Sequence, residues 1–434
     1  MSTPEQTASP QPWYVRYRRW LYIGGALVGV IALFAILIAS TPPPAWGVAD
    51  STIGHPLALL VDPASPNVMY AGTEQGKVFT TSDGQNWSDL SQGLPGNAPV
   101  SALAHSPDSA HMLAGTSQGV FSFDSGKAAW SVSSSGLPQG DGVDALAYIS
   151  SDGKMVLAGT EQHGIYRSTD GGATWATSSN GLPNNADVYG LAVTPDGKTL
   201  FAALIGAGIY RSTDGGATWS AANTGLPDKL DAFTVLAVTD SKNASLVHVL
   251  AGTSQGVFAS TDDGQHWAAS SRGIGTTRAI SLAAAVHQTD FLLAGTDNGV
   301  YESGDTGASW HVVAKGIPGG EHVGAVAISE PSKNVGLLFA AGAQLYRYPG
   351  TSTSAVTWIT RILILGLLVG AILWTTSRQR RTLQAMMPPP PQPKAPGATG
   401  TASRSPAATV RPQATGHIRG GPPPRVPDAP EQVE

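Results

Sequence analysis

The chain has 434 residues, 52 of them glycine and none cysteine, which excludes a disulfide framework, a thiolate metal site and a cysteine nucleophile together. Charged residues are 13% against a usual ~25%, while 41% hydrophobic residues give ample material for a core. Charge is unevenly placed: residues 41–350 carry 13 Lys+Arg and 26 Asp+Glu, and the flanks carry 12 basic and 4 acidic residues, or −13 and +8, so the middle will not attract nucleic acid or another polyanion through its overall field.

Residues 1–20 are a short tail ending in Arg16, Arg18 and Arg19. Leu21 to Ala39 is a run of 19 uncharged, mostly apolar residues, long enough to cross a bilayer at ~1.5 Å per residue, so residues 21–40 are predicted as a transmembrane helix. A cleaved signal peptide would have a shorter apolar region, and Leu37-Ile38-Ala39 is a poor cleavage site.

From about residue 45 to 350 the chain repeats itself. Ser168-Thr169-Asp170-Gly171-Gly172-Ala173-Thr174-Trp175 recurs as Ser212 to Trp219, in looser form as Ser260 to Trp267 and Ser303 to Trp310, and in degenerate copies ending at Trp87 and Trp130. Between the copies, apolar pieces of four to six residues alternate with Gly, Asp and Asn turn signals, the pattern of short antiparallel strands. The tryptophans are spaced by 43, 45, 44, 48 and 43 residues. Four strands in a period of ~40–45 residues make one blade of a β-propeller.

The last unit supplies three strands, Val323 to Ser329, Gly336 to Ala340 and Gln344 to Tyr348, and then has no motif and no tryptophan. Its fourth strand is predicted at the other end of the domain, where Ala45-Trp46-Gly47-Val48 parallels Ser309-Trp310-His311-Val312. The fold class is therefore all-β, a seven-bladed propeller over 45–350 closed by an N-terminal strand, with Trp46 between blades and Val48 facing the core. Such closure removes exposed sheet edges.

The Ser-x-Asp-x-Gly-x-Thr-Trp pattern resembles the Asp box, or bacterial neuraminidase repeat, found in propellers of sialidases, sortilin-type receptors and photosystem II assembly factors. The resemblance implies that Asp124, Asp170, Asp214, Asp262 and Asp305 accept backbone N–H bonds in the turn from the third to the fourth strand. It also implies that Trp87, Trp130, Trp175, Trp219, Trp267 and Trp310 pack between blades. A short carboxylate suits a tight turn, and a large ring fills a wedge between twisted sheets.

Residues 356–376 form a second predicted span, interrupted by Arg361, whose side chain can snorkel to the headgroups. Residues 377–434 hold 13 prolines and almost no large apolar residues, so they are expected to form a disordered cytoplasmic tail. Pro424-Arg425-Val426-Pro427 fits a PxxP pattern, which a proline-rich spacer produces by chance. Arginines before the first span and after the second place both tails inside and the propeller outside a plasma membrane. The cut between the third and fourth strands of the last blade attaches both spans to the Asp-box face. The opposite face carries the turns between second and third strands, and with them the candidate ligand-binding residues Glu74, Gln75, Gln118, Glu161, Gln162, Gln255, Asp297 and Asn298.

A sialidase would resemble its family in having three convergent arginines, and the domain has only five, of which Arg167 and Arg211 occupy one repeat position. Acid pairs such as Asp141 and Asp144, Asp228 and Asp231, and Asp262 and Asp263 read as solvated turn residues. No metal-ligand spacing, serine elbow or phosphate-binding loop is present, so no catalytic residue, metal or cofactor is expected. The expected function is a membrane-anchored extracytoplasmic scaffold that binds a protein or glycan and no nucleic acid, the alternative being a carbohydrate-active enzyme.

Overall fold

The structure, a computed structural model, describes residues 45–313, 316–332 and 335–348. Both predicted spans and both tails lie outside the described residues, among which no helix is long and apolar enough to cross a membrane. The described chain is all β, in seven four-stranded antiparallel sheets. Blade 3 is representative, with strands Val143–Tyr148, Val156–Thr160, Ile165–Ser168 and Ala176–Thr177. The seven inner strands stand side by side around a central channel.

Local sequence accounts for each layer. Second strands such as Met112–Thr116, Val156–Thr160 and Leu292–Thr296 are buried at every position, because neighbouring blades cover both faces of the sheet, and they are accordingly continuous apolar runs. The glycine in their Ala-Gly-Thr ending lets the next blade approach: a Cβ on Gly159 would lie 2.7 Å from Val188 Cγ1. Outer strands are only two to four residues long and largely exposed.

Six of the seven seams are held by the same clasp. The indole N–H of Trp130, Trp175, Trp219, Trp267 and Trp310 donates to the carbonyl of Leu90, Ser133, Ser178, Ala222 and Ser270 respectively, at 2.7–2.8 Å. Each acceptor stands three residues after the tryptophan of the preceding blade. Three residues further on comes the glycine of Gly-Leu-Pro. Gly181 has φ +92° and its missing Cβ would lie 2.0 Å from the Trp219 carbonyl oxygen, so this position tolerates no side chain.

Blade 7 is completed by the N-terminal strand Gly47–Asp50, which pairs with Leu345–Tyr348 in the register Gly47 to Arg347 and Val48 to Tyr346. Trp46 is 4% exposed, packs against Tyr348 with ring centroids 5.4 Å apart and planes tilted by 42°, and donates its indole N–H to the Val313 carbonyl. Val48 does not face the core, as the sequence suggested, but is 50% exposed. Blades diverge toward the rim, where an indole still bridges the gap and the next side chains do not. Val132 and Val312, two residues after Trp130 and Trp310, are likewise 73% and 61% exposed.

The seam between blades 7 and 1 lacks the clasp. Thr52 stands where the other seams have the positive-φ glycine, and the buried Trp87 indole N–H has no hydrogen-bond partner. Trp87 instead meets Phe339 edge-on at 6.1 Å. Three residues separate Asp83 from Trp87, against four between Asp170 and Trp175.

Candidate functional site

The two faces of the propeller differ in chemistry. On the motif face, Ser168 Oγ donates to Asp170 Oδ1 at 2.7 Å and accepts from the Gly172 N–H at 2.8 Å, while Asp170 accepts from the Thr174 hydroxyl at 2.6 Å and its N–H at 2.9 Å. Asp214, Asp262 and Asp305 repeat this network with Thr218, His266 and Ser309. The Thr174 and Thr218 bonds hold the Asp170 and Asp214 carboxyls down to about 2. Asp124 departs from the pattern, accepting from the Gly126 and Lys127 N–H groups and pairing with Lys127 Nζ at 2.9 Å. Asp83, which sequence reading did not single out, plays the same part in blade 1, accepting from the Gln85 and Asn86 N–H groups at 2.8 Å. These carboxylates are committed to their own turns.

The arginines do not converge. Arg167 donates to the Gly215 carbonyl of the next blade at 3.1 Å, and Arg211 pairs with Asp263, which also accepts from the Thr199 hydroxyl at 2.9 Å. Asp231 is bound to the Gly206 N–H at 2.8 Å.

On the opposite face a second regularity appears. In six blades the inner strand carries a register shift at its second residue, which leaves Leu57, Ser101, Asp144, Tyr189, Phe233 and Ile280 unpaired in the ladder. Bulges of this kind re-aim a side chain, and here they set an arc around one mouth of the channel. The Tyr189 and Phe233 rings meet edge-on with centroids 6.3 Å apart. The Arg278 guanidinium lies 5.4 Å over the Phe233 ring and pairs through Nε with Asp297 at 2.9 Å; His322 Nδ1 lies 2.9 Å from the same carboxylate.

On the other side of Tyr189 the arc is acidic. Burial, then repulsion by Glu161 and Asp187, pushes the Asp144 carboxyl up to about 6, tempered by a hydrogen bond from Ser101. Burial, then Glu161 and Asp141, pushes Asp187 to about 6 as well. Burial, then Asp144, Asp187 and Glu161, raises the Tyr189 phenol against the opposing charge of Arg278, and the residue stays 45% exposed. Asp141 is buried and lies 2.7 Å from His163 Nδ1. Asp141 and Asp144 are thus not the solvated turn residues the sequence suggested: Asp144 sits within a strand, enclosed by the neighbouring blades. Among the described residues no group of His, Asp and Glu is placed to hold a metal ion.

Of the candidate binding residues, Glu161 and Asp297 reach this arc. Glu74, Gln75, Gln118, Gln162, Gln255 and Asn298 share the face and are exposed: Glu74 pairs with His55 at 3.0 Å, and Gln118 lines a separate groove of about 730 Å³ beside Phe121, Val132 and Leu137. Sequence reading missed Asp187, Tyr189 and Phe233. Tyr189 and Phe233 hold the bulge position of their inner strands and Asp187 lies two residues before Tyr189, a placement that only the strand pairing reveals.

Solved structures with the same fold include the GH74 xyloglucanase of Xanthomonas campestris, at TM-score 0.57 and 19% identity over 70% of this chain and 53% of the enzyme. YCF48 bound to D1 peptide aligns at TM-score 0.52 and 14% identity over 72% and 97% of the two chains, and the RRP9 WD40 repeats at TM-score 0.53 and 13% identity over 71% and 99%. The chain spans about half the length of the xyloglucanase. No curated protein matches it by sequence. Residues 60–255 and 161–321 match the DUF6242 beta propeller domain, a stretch that takes in most of the seven blades, and the chain belongs to that family.

Proposed function

We propose that this protein is a membrane-anchored, extracytoplasmic binding propeller of the Asp-box type, which holds a protein or glycan ligand at the channel mouth without transforming it. One observation carries the reading: bulges at one repeat position set Asp144, Tyr189 and Phe233 side by side at that mouth, next to Asp187, Glu161 and Arg278, while the strands beneath stay regular. Exposed rings beside convergent polar groups are the usual makings of a ligand site. The two spans, 21–40 and 356–376, would leave this face directed away from the bilayer. The test is binding of the full chain in nanodiscs to a glycan array and a peptide array. The double variant Y189A/F233A is expected to lose at least tenfold in affinity for any retained ligand, and retention that ignores the variant places the site elsewhere.

A second reading, a carbohydrate-active enzyme, is favoured by Asp144 and Asp187, whose carboxyls near 6 suit a general acid at neutral pH. Incubation with fluorogenic glycosides and xyloglucan decides between them. Turnover abolished by D144N would replace the binding reading with this one.

A further inference from the structure

We propose that the ligand of the channel mouth presents a cation, an ammonium or guanidinium group, that seats on the Tyr189 ring between Asp144, Asp187 and Glu161. The inference rests on the binding reading and narrows it to one chemical class. Its basis is that the arc contains the same arrangement twice. At Phe233 a cation from the protein itself, Arg278, lies over the ring with Asp297 paired to it, the geometry in which an aromatic face and a carboxylate share one positive charge. One blade along, Tyr189 offers the next ring at the same bulge position, with Asp144 at that position in the blade before it, Asp187 two residues upstream and Glu161 lying over Gly142 beside Asp144, its Oε1 2.5 Å from where a Cβ would stand. Among the described residues none of these three carboxylates belongs to an ion pair.

A second observation is independent of charge counting. Asp187 is partly exposed, yet its Oδ1 is turned away from solvent and accepts no hydrogen bond, a costly state for a carboxylate oxygen that a rotation of the side chain toward an N–H donor from a ligand would repair. An anionic ligand would meet like charge here, and a purely apolar one would leave that oxygen unsatisfied. Burial, and then the neighbouring carboxylates, pushes both Asp144 and Asp187 up to about 6, so a bound cation favours their ionised forms. The other titratable groups around them are Asp141, Glu161, His163, Tyr189 and Arg278.

The probes are fluorescent glycine-rich hexapeptide amides carrying one lysine, one arginine or one acetyl-lysine, titrated against the full chain in zwitterionic nanodiscs. The lysine and arginine peptides should bind at least tenfold more tightly than the acetyl-lysine peptide, and their affinity should rise from pH 5 to pH 7.5. D144N/D187N and Y189A should each lose at least tenfold, while D262N, on the opposite face, should bind as the parent does. Near-ultraviolet circular dichroism of each variant confirms the native fold. Equal affinity for acetyl-lysine, or an unchanged D144N/D187N, overturns the inference. Tyr189-dependent retention of neutral glycans without binding of the cationic peptides sinks the cation and leaves the binding reading standing; loss of both sinks the two together.

Discussion

Asp170 spends its lone pairs on Ser168 and Thr174, whereas Asp144 meets other carboxylates across a seam, and the two respond to pH in opposite senses. A carboxyl depressed to about 2 in the folded state stabilises above its unfolded value of ~3.9, and that contribution is lost as pH falls from ~4 through ~2. Asp170→Asn should therefore lower the melting temperature at pH 7, modestly because the site is exposed to solvent screening, and match the parent near pH 2. A carboxyl raised to about 6 is destabilising when ionised, so stability is regained as pH falls from ~7 to ~4. Asp144→Asn should raise the melting temperature at pH 7.5 and leave it unchanged at pH 4. Melts followed by circular dichroism at the paired pH values check both signs. Asp170 was legible in the sequence because its partners lie within four residues; Asp144 is acted on by Glu161 from a turn of its own blade and by Asp187 and Ser101 from the blades on either side, and no local pattern announces them.

At the scale of the element, the clasp between blades joins an indole, a carbonyl and a glycine that the repeat places three residues apart. Gly181→Ala combines a strained φ, worth ~1–3 kcal/mol, with a methyl 2.0 Å from the Trp219 carbonyl oxygen. Gly197 has φ +73° with nothing within 4 Å of a Cβ, so Gly197→Ala should show the strain alone and melt measurably higher than Gly181→Ala. Trp46→Ala should cost ~3–5 kcal/mol, as for a buried tryptophan, and Val48→Ala less than ~0.5 kcal/mol, as for an exposed side chain. Denaturant unfolding of the two variants side by side separates them. Equal costs would mean that the N-terminal strand docks through its whole length instead of through its tryptophan. The position of this strand was readable from tryptophan spacing; the direction of Val48 was not, because period-two alternation presumes cover on one face, and at the blade rim neither face has it.

For the whole molecule, six seams are clasped and one is not. Trp219→Phe gives up a hydrogen bond worth ~1 kcal/mol, whereas Trp87→Phe gives up none, so Trp87→Phe should be the milder variant in denaturant unfolding. Native-state hydrogen exchange should find Gly47–Asp50 and Ser88–Asp89 opening before the outer strands of blades 3 to 6. Seven blades and their order could be read from repeats alone, since each unit carries its own turn and strand signals. The mouth could not, because a bulge is a property of pairing register and six of them must be seen together before the arc is visible. Orientation at the membrane has its own check: with no native cysteine, single substitutions S9C, S254C and S403C can be probed in intact cells with an impermeant thiol reagent. Only S254C should label, and labelling of either tail would reverse the proposed topology.

The pairing of Gly47 with Arg347 also has a consequence in time. The strand that completes blade 7 is among the first parts of the propeller to be synthesised, and its partner follows about 300 residues later, roughly 15–60 s at ~5–20 residues per second. Until then six blades can form while the ring stays open, with one sheet edge waiting at each end. Such long-range pairing is slow because chain entropy is spent before contact is made. A nascent chain that stops short of Leu345 has no strand for Gly47–Asp50 to join, so ring closure reports that translation has reached the end of the domain, and an arrested chain is left with the open edges that chaperones and proteases recognise.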